Sequence, residues 1–219
     1  MVNLFIVANW KSNKTIEDTN NFLNEFKDLY IARDDVQVVI CPPYLSVSTL
    51  SNFIATNNLK IDSGVQDISP FDDGAFTGEV SASQIKELVK FTIIGHSERR
   101  KYFGETDELL SKKCEKAQSA GIEIIFCVQN EDTPIPQGVK IVAYEPVEAI
   151  GTGHPDTPEN ADRVAAVIRA KHEGGIVLYG GSVTAENVNQ FTSCVNIGGV
   201  LVGGASLNPS GFSSIIKNA

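Results

Sequence analysis

Short apolar runs recur along the chain, each ending in a polar or glycine-rich stop. All but one are followed by a stretch with helical spacing. Leu4-Phe5-Ile6-Val7-Ala8-Asn9 leads to Trp10 and Lys11, and strand alternation puts Phe5, Val7, Asn9 and Lys11 on one face. Thr15 opens a helical pattern through Tyr30, with Phe22, Leu23, Phe26, Leu29 and Tyr30 at helical spacing. Val36 to Cys41 stops at Pro42-Pro43, and a helix with Leu45, Leu50 and Ile54 follows. Lys60 to Ile68 reads as a third strand with a long connection, Ser69 to Glu79, of a size that tends to carry function. Ser81-Ala82-Ser83-Gln84 is a capping box for the next helix. Phe91 to Gly95 then runs into His96-Ser97-Glu98-Arg99-Arg100, and a helix from about Thr106 to Ala120 stops at Gly121.

The fifth run, Glu123 to Val128, breaks the rhythm. Only Asn130 to Gly138, with Pro134 and Pro136, separates it from the sixth, Lys140 to Tyr144. That length is near the minimum of about a dozen residues for a parallel crossover, so this unit is expected to have lost its helix and kept an extended link. The sixth run delivers Glu145, and Pro146 forbids further ladder pairing. Thr157-Pro158 is an N-cap with Pro at the first helical position, opening a helix to about Glu173. Ile176 to Tyr179 precedes Gly180-Gly181-Ser182, and Thr184 starts a short helix. Gly199 to Val202 precedes Gly203-Gly204-Ala205-Ser206, and a last helix closes the chain.

Eight buried-type strands in βα order predict an α/β fold, a closed (β/α)8 barrel over residues 1–219 as one domain. An open doubly wound sheet is the alternative, although the G-x-G-x-x-G it usually carries after its first strand is absent. The missing fifth helix is expected to expose apolar barrel wall or to leave it for another subunit.

Composition narrows the function. A 42% hydrophobic, 21% charged chain of 219 residues is ordinary for a globular enzyme. Its net charge of −9 argues against nucleic acid and against anionic membranes as partners, but not against a small anion in a local pocket. Cys41, Cys114, Cys127 and Cys194 show no metal spacing; with no signal peptide or long apolar span, reduced thiols in the cytoplasm are expected.

The polar residues fall at strand ends. Asn9, Lys11, His96, Glu145, Ser182, Gly203 and Gly204 all follow the runs, on the face where barrel enzymes build their sites. Singly, Lys11 reads as a solvated cation, His96 as a structural histidine, and the glycine pairs as tight turns. Together they describe an anion cradle of backbone N–H groups, helped by the helix after Ser206, with Lys11 as the local positive charge. A base, Glu145, and an electrophile, His96, then suit proton transfer beside the carbonyl of a small sugar phosphate. His154 and His172 are read as surface residues, and no metal or cofactor is implied.

Asn9-Trp10-Lys11, Gly74 to Glu79 (GAFTGE), Gly95 to Arg100 (GHSERR), Tyr144 to Val147 (YEPV), Ala149 to Gly153 (AIGTG), Tyr179 to Val183 (YGGSV) and Leu201 to Ser206 (LVGGAS) resemble the triosephosphate isomerase family over nearly the whole chain. The resemblance implies a TIM barrel and interconversion of dihydroxyacetone phosphate and D-glyceraldehyde 3-phosphate through an enediolate. Glu145 would be the base and a neutral His96, at the start of a short helix, the electrophile, as in the general account of this enzyme's pKa tuning. Lys11 and Asn9 would stabilise the enediolate. Gly151, Ser182, Gly203 and Gly204 would hold the phosphate, Pro146 to Gly153 would form a lid, and Ser97 and Glu98 would support the site.

Glu148 stands where many relatives carry Trp, and Asn130 where the same relatives carry Glu; archaeal-type isomerases resemble the chain at both. The paired change is read as compensatory, with Glu148 and Asn130 hydrogen-bonded in one lid state. The loop with Phe76 and Thr77 matches the family's intersubunit finger and implies a homodimer, leaving a tetramer open. Another phosphate-binding barrel enzyme would not need Asn9, Lys11, His96 and Glu145 together. A catalytically silent barrel would not be expected to keep them.

Overall fold

The computed structural model describes residues 4–146, 155–172 and 174–219. Eight parallel strands pair in sequence order and close into a barrel. They are β1 (Leu4–Asn9), β2 (Val36–Cys41), β3 (Ile61–Val65), β4 (Phe91–Ile94), β5 (Glu123–Val128), β6 (Ile141–Tyr144), β7 (Ile176–Tyr179) and β8 (Gly199–Val202). Around them lie α1 (Ile16–Leu29), α2 (Tyr44–Asn57), α3 (Ala82–Ile85), α4 (Ser97–Phe103), α5 (Asp107–Ser119), α6 (Pro158–Lys171), α7 (Val188–Thr192) and α8 (Pro209–Asn218).

Strand alternation sorts the core into two layers. Phe5, Val7, Val39, Cys41, Phe91, Ile93, Ile125, Cys127, Ala143, Leu178 and Leu201 fill the barrel interior. The intervening residues, such as Ile6, Val38, Ile94, Phe126 and Val142, face the helices. Closure depends on one glycine. Gly199 pairs with Phe5 at φ +148, and a Cβ there would lie 2.0 Å from the Phe5 carbonyl oxygen. Only a residue without a side chain lets the last strand approach the first.

The helix ends follow their chemistry. Thr15 caps α1 in a capping box with Asp18, and Ser81 does the same for α3 with Gln84. Thr157 caps α6, with Pro158 in the first turn. Some expectations shift. Strand β3 ends at Val65, so Gln66 to Ile68 leave the ladder. The helix expected from Thr184 begins at Val188, because Thr184 N–H turns onto the Asn187 side chain at 2.8 Å. The helix expected after Ser206 is preceded by a 3₁₀ turn, Gly204–Leu207, that already contains Ser206.

No helix joins β5 to β6, yet the barrel wall there is not bare. Outward-facing Ile124, Phe126 and Val142 are buried within this one chain. Ile135 of the extended link packs on the outer core. The neighbouring helices tie the link down: Gln118 donates to the Gln137 carbonyl at 2.7 Å, and Lys171 reaches the Glu131 carbonyl and Asp132, each at 2.8 Å. His172, read from the sequence as a surface residue, is half-buried with its ring on the Val139 carbonyl. Two long polar side chains and one imidazole thus satisfy backbone that a helix would have satisfied itself. Among the described residues no helix is long and apolar enough to cross a membrane.

Candidate active site

The C-terminal strand ends surround a cavity of about 260 Å³. Asn9, Lys11, His96 and Glu145 form one part of its wall, and Gly180, Gly181, Ser182, Gly203 and Gly204 another. Closure of the barrel therefore brings these run-end residues to one place. Gly151, Glu148, His154 and the expected lid beyond Pro146 lie outside the described residues.

Glu145 leaves β6 with its N–H on the Val128 carbonyl at 2.8 Å, which turns the side chain inward. The residue is 1% exposed. One carboxylate oxygen accepts from the Ser97 N–H at 2.9 Å, and the other lies 3.0 Å from His96 Nε2. Buried carboxylates need such donors, since an isolated charge away from water is costly. His96 is the N-cap of α4, and its Nδ1 accepts from the Glu98 N–H at 3.3 Å. That acceptor role puts the ring proton on Nε2, facing Glu145. Burial, then the neighbouring Glu145 carboxylate, pushes the Cys127 thiol well above its ordinary range.

Lys11 follows β1 in the left-handed region, φ +53, a conformation that costs a non-glycine residue about 1–2 kcal/mol. It persists because several groups hold it. Its N–H donates to the Asn9 side chain at 3.0 Å, its carbonyl accepts from Gln66 Nε2 at 2.9 Å, and its Nζ lies 2.6 Å from Glu98 Oε1. The ammonium is thereby aimed at the cavity.

Beneath α4 sits a group of four charges, three of them buried (Asp67, Glu105 and Lys113) and Arg99 partly exposed. Lys113 Nζ contacts Asp67 and Glu105, each at 2.6 Å, and Arg99 reaches the same two carboxylates at 2.8 and 2.7 Å. Burial pushes the Asp67 carboxyl up to about 6 against the pull of both cations. Arg99 belongs to the helix that begins at Ser97, so this cluster braces the segment that holds Glu145.

The strand ends of β7 and β8 bring four glycines to the cavity. Gly180 N–H pairs with the Tyr144 carbonyl at 2.7 Å. A Cβ on Gly181 would fall 2.1 Å from the Tyr179 hydroxyl, which itself accepts the Asp156 N–H at 2.8 Å. Ser206 is buried with its hydroxyl on the Gly203 carbonyl at 2.7 Å, fixing the 3₁₀ turn at the rim. Asn130 is not in this wall. It is exposed, and its side-chain oxygen accepts from Asp132 N–H and the Thr133 hydroxyl within the β5–β6 link.

Sequence reading did not single out Gln66, Cys127, Asp67 or Tyr179. Each sits at or beside a strand end, but the side-chain contacts that give these residues a place at the site come from segments distant in the sequence. Among the described residues no three or more His, Cys, Asp or Glu gather as a metal site.

Barrel, inward carboxylate, imidazole, ammonium and glycine rim together define a (β/α)8 enzyme able to move a proton beside a bound anion. Comparison with known proteins narrows this class. The family model described as triosephosphate isomerase matches residues 4–219. Triosephosphate isomerase of Prochlorococcus marinus subsp. pastoris is 41% identical over 234 residues, covering 96% of both chains. That of Alkaliphilus metalliredigens is 38% identical over 245 residues, covering 97% of this chain and 98% of the other. The crystal structure of triosephosphate isomerase from Bartonella henselae superposes with a TM-score of 0.86 at 30% identity, covering 99% of each chain. The chain belongs to the triosephosphate isomerase family.

Proposed function

We propose that this protein interconverts dihydroxyacetone phosphate and D-glyceraldehyde 3-phosphate, with Glu145 as the base and His96 as the electrophile. One observation carries the reading: the buried Glu145 carboxylate and His96 Nε2 face each other at 3.0 Å in a cavity that Gly180, Gly181, Gly203 and Gly204 also line. A substrate carbonyl oxygen that takes over the Nε2 proton frees Glu145 from His96. The carboxylate then removes a proton from the substrate carbon beside the carbonyl, leaving an enediolate. His96 and the Lys11 ammonium stabilise its oxygens, with Asn9 beside them. His96 passes the hydroxyl proton from one enediolate oxygen to the other, and return of the carbon-bound proton to the neighbouring carbon then completes the isomerisation, so no atom is gained or lost.

Ser182, Gly203 and Gly204, with Gly151 from the segment outside the described residues, are the proposed phosphate ligands. Peptide N–H groups and the 3₁₀ turn at Gly204 support that role. Ser97 and Glu98 hold Glu145 and Lys11 respectively, at 2.9 and 2.6 Å. The proposed lid and the pairing of Glu148 with Asn130 rest on the family resemblance.

Residues 1–219 are read as one domain, supported by closure of the eight strands into a single barrel. A homodimer through the loop around Phe76 and Thr77 is supported by the stacked, half-exposed rings of Phe71 and Phe76, 4.1 Å apart, with Tyr102 and Phe103 also exposed. Sedimentation equilibrium should give a dimer or a tetramer; a fully active monomer would overturn this. The free cysteines support a cytoplasmic location. A coupled assay with Glu145→Asp and Glu145→Gln tests the reaction: unchanged turnover in both variants would defeat the assignment.

A further inference from the structure

The end of β3 contributes no group to the cavity wall, yet it reaches the site. Gln66 follows the last residue of that strand and does not line the cavity. Its side-chain nitrogen has two hydrogens, and both are used: one goes to the Lys11 carbonyl and one to the Cys41 carbonyl, each at 2.9 Å. The Cys41 carbonyl also accepts from the Trp10 N–H at 3.1 Å. One amide therefore ties the segment after β1 to the end of β2, directly behind the residue with the left-handed backbone.

We propose that Gln66 is a positioning residue for the reaction, holding the Lys11 backbone in the conformation that aims its ammonium into the cavity. This rests on the role given to Lys11 above. Lys11 stays at φ +53 only while its peptide groups are pinned on both sides. On the amide side the pin is Asn9, itself part of the cavity wall. On the carbonyl side it is Gln66, which has no other place in the site. Without that donor, the Lys11 carbonyl loses its partner and the peptide is free to rotate back to negative φ. The side chain then leaves from a different direction, and contact with Glu98 at 2.6 Å no longer selects the same ammonium position. Asn at position 66 would fall one methylene short, and Lys could not bridge both carbonyls in the same plane, which accounts for an amide of this length.

The test is a double-mutant cycle read by calorimetric binding of 2-phosphoglycolate, a carboxylate phosphate that mimics the planar enediolate. Gln66→Met keeps the side-chain length and removes both donors; Gln66→Glu keeps the shape as well, and replaces it if Met fails to fold. In the parent, Gln66→Met should weaken 2-phosphoglycolate by about tenfold, as expected when a binding group is misplaced by a fraction of an ångström. In a Lys11→Met background the same change should cost less than twofold, because the group it positions is gone. An equal loss in both backgrounds would mean a general structural role and overturn the proposal, as would a loss below twofold in the parent. Turnover of dihydroxyacetone phosphate by the unaltered protein reports on the functional reading alone, so the two fail separately.

Discussion

The two halves of the cavity wall are built on opposite principles. On the β1, β4 and β6 side the working groups are side chains, and each is held by several partners: Glu145 by Ser97 and His96, Lys11 by Glu98 through its head and by Asn9 and Gln66 through its backbone. On the β7 and β8 side four of the lining residues are glycines, and Gly204 would meet nothing within 4 Å if it carried a Cβ. Proton transfer needs a few groups aimed closely, so that half is cross-braced. An anion needs several N–H donors and open room, and that half places four glycines among Ser182, Val183, Thr184, Leu201 and Ala205. Titration and geometry should therefore disturb the first half, and added bulk the second.

The largest effect should come from Glu145, the proposed base. Glu145→Gln keeps the shape and the Ser97 contact but removes proton abstraction, and kcat should fall by roughly 10²–10⁴-fold, the span typical of general-base catalysis. A coupled assay measures this, and KM should move far less.

The brace under α4 should respond to pH. Asp67, raised to about 6 by burial, binds its proton more tightly in the folded than in the unfolded chain. The folded state then holds the extra proton between the ordinary carboxylate range and about pH 6, so this group's contribution to stability falls as pH rises through that window. Asp67→Asn should remove that slope, a difference of roughly 3 kcal/mol between pH 3.5 and 7 in urea titrations of the two proteins. A slope unchanged by the substitution would show that Lys113 and Arg99 hold Asp67 ionised throughout.

The seam between the halves is Gly180. A Cβ there would meet Glu145 Cγ at 3.0 Å and the Tyr144 carbonyl at 3.1 Å. Gly180→Ala should push the base aside and lower kcat by about tenfold, with a smaller change in KM. At the other end of the scale, a Cβ on Gly203 would sit 3.5 Å from Lys11 Cε, an ordinary contact. Gly203→Ala should keep the fold and kcat and raise KM by about threefold or less, the signature of weakened uniform binding. If Gly203→Ala cost more kcat than Gly180→Ala, the division of labour between the halves would be wrong.

Much of this was legible in the chain. Short apolar runs such as those from Leu4 and Phe91 marked strands, Thr15, Ser81 and Thr157 marked helix starts, and the polar residues at run ends marked the site. Two prolines announced the missing helix between β5 and β6, and the structure has none there. The covering of that wall was misread, because burial of Phe126 and Val142 depends on how Gln118 and Lys171 reach across from flanking helices. Likewise, Gln66 lies 55 residues from Lys11, and nothing local in either segment links them.

Local chemistry along the chain thus determined which segments became strands and helices, and which residue types stood at their ends, since periodicity, caps and prolines act over a few residues. Which ends met was decided only in the tertiary structure. Once Gly199 lets β8 lie against Phe5 of β1, the ring is complete, and an imidazole from β4 faces a carboxylate from β6 across a distance that no short-range pattern encodes.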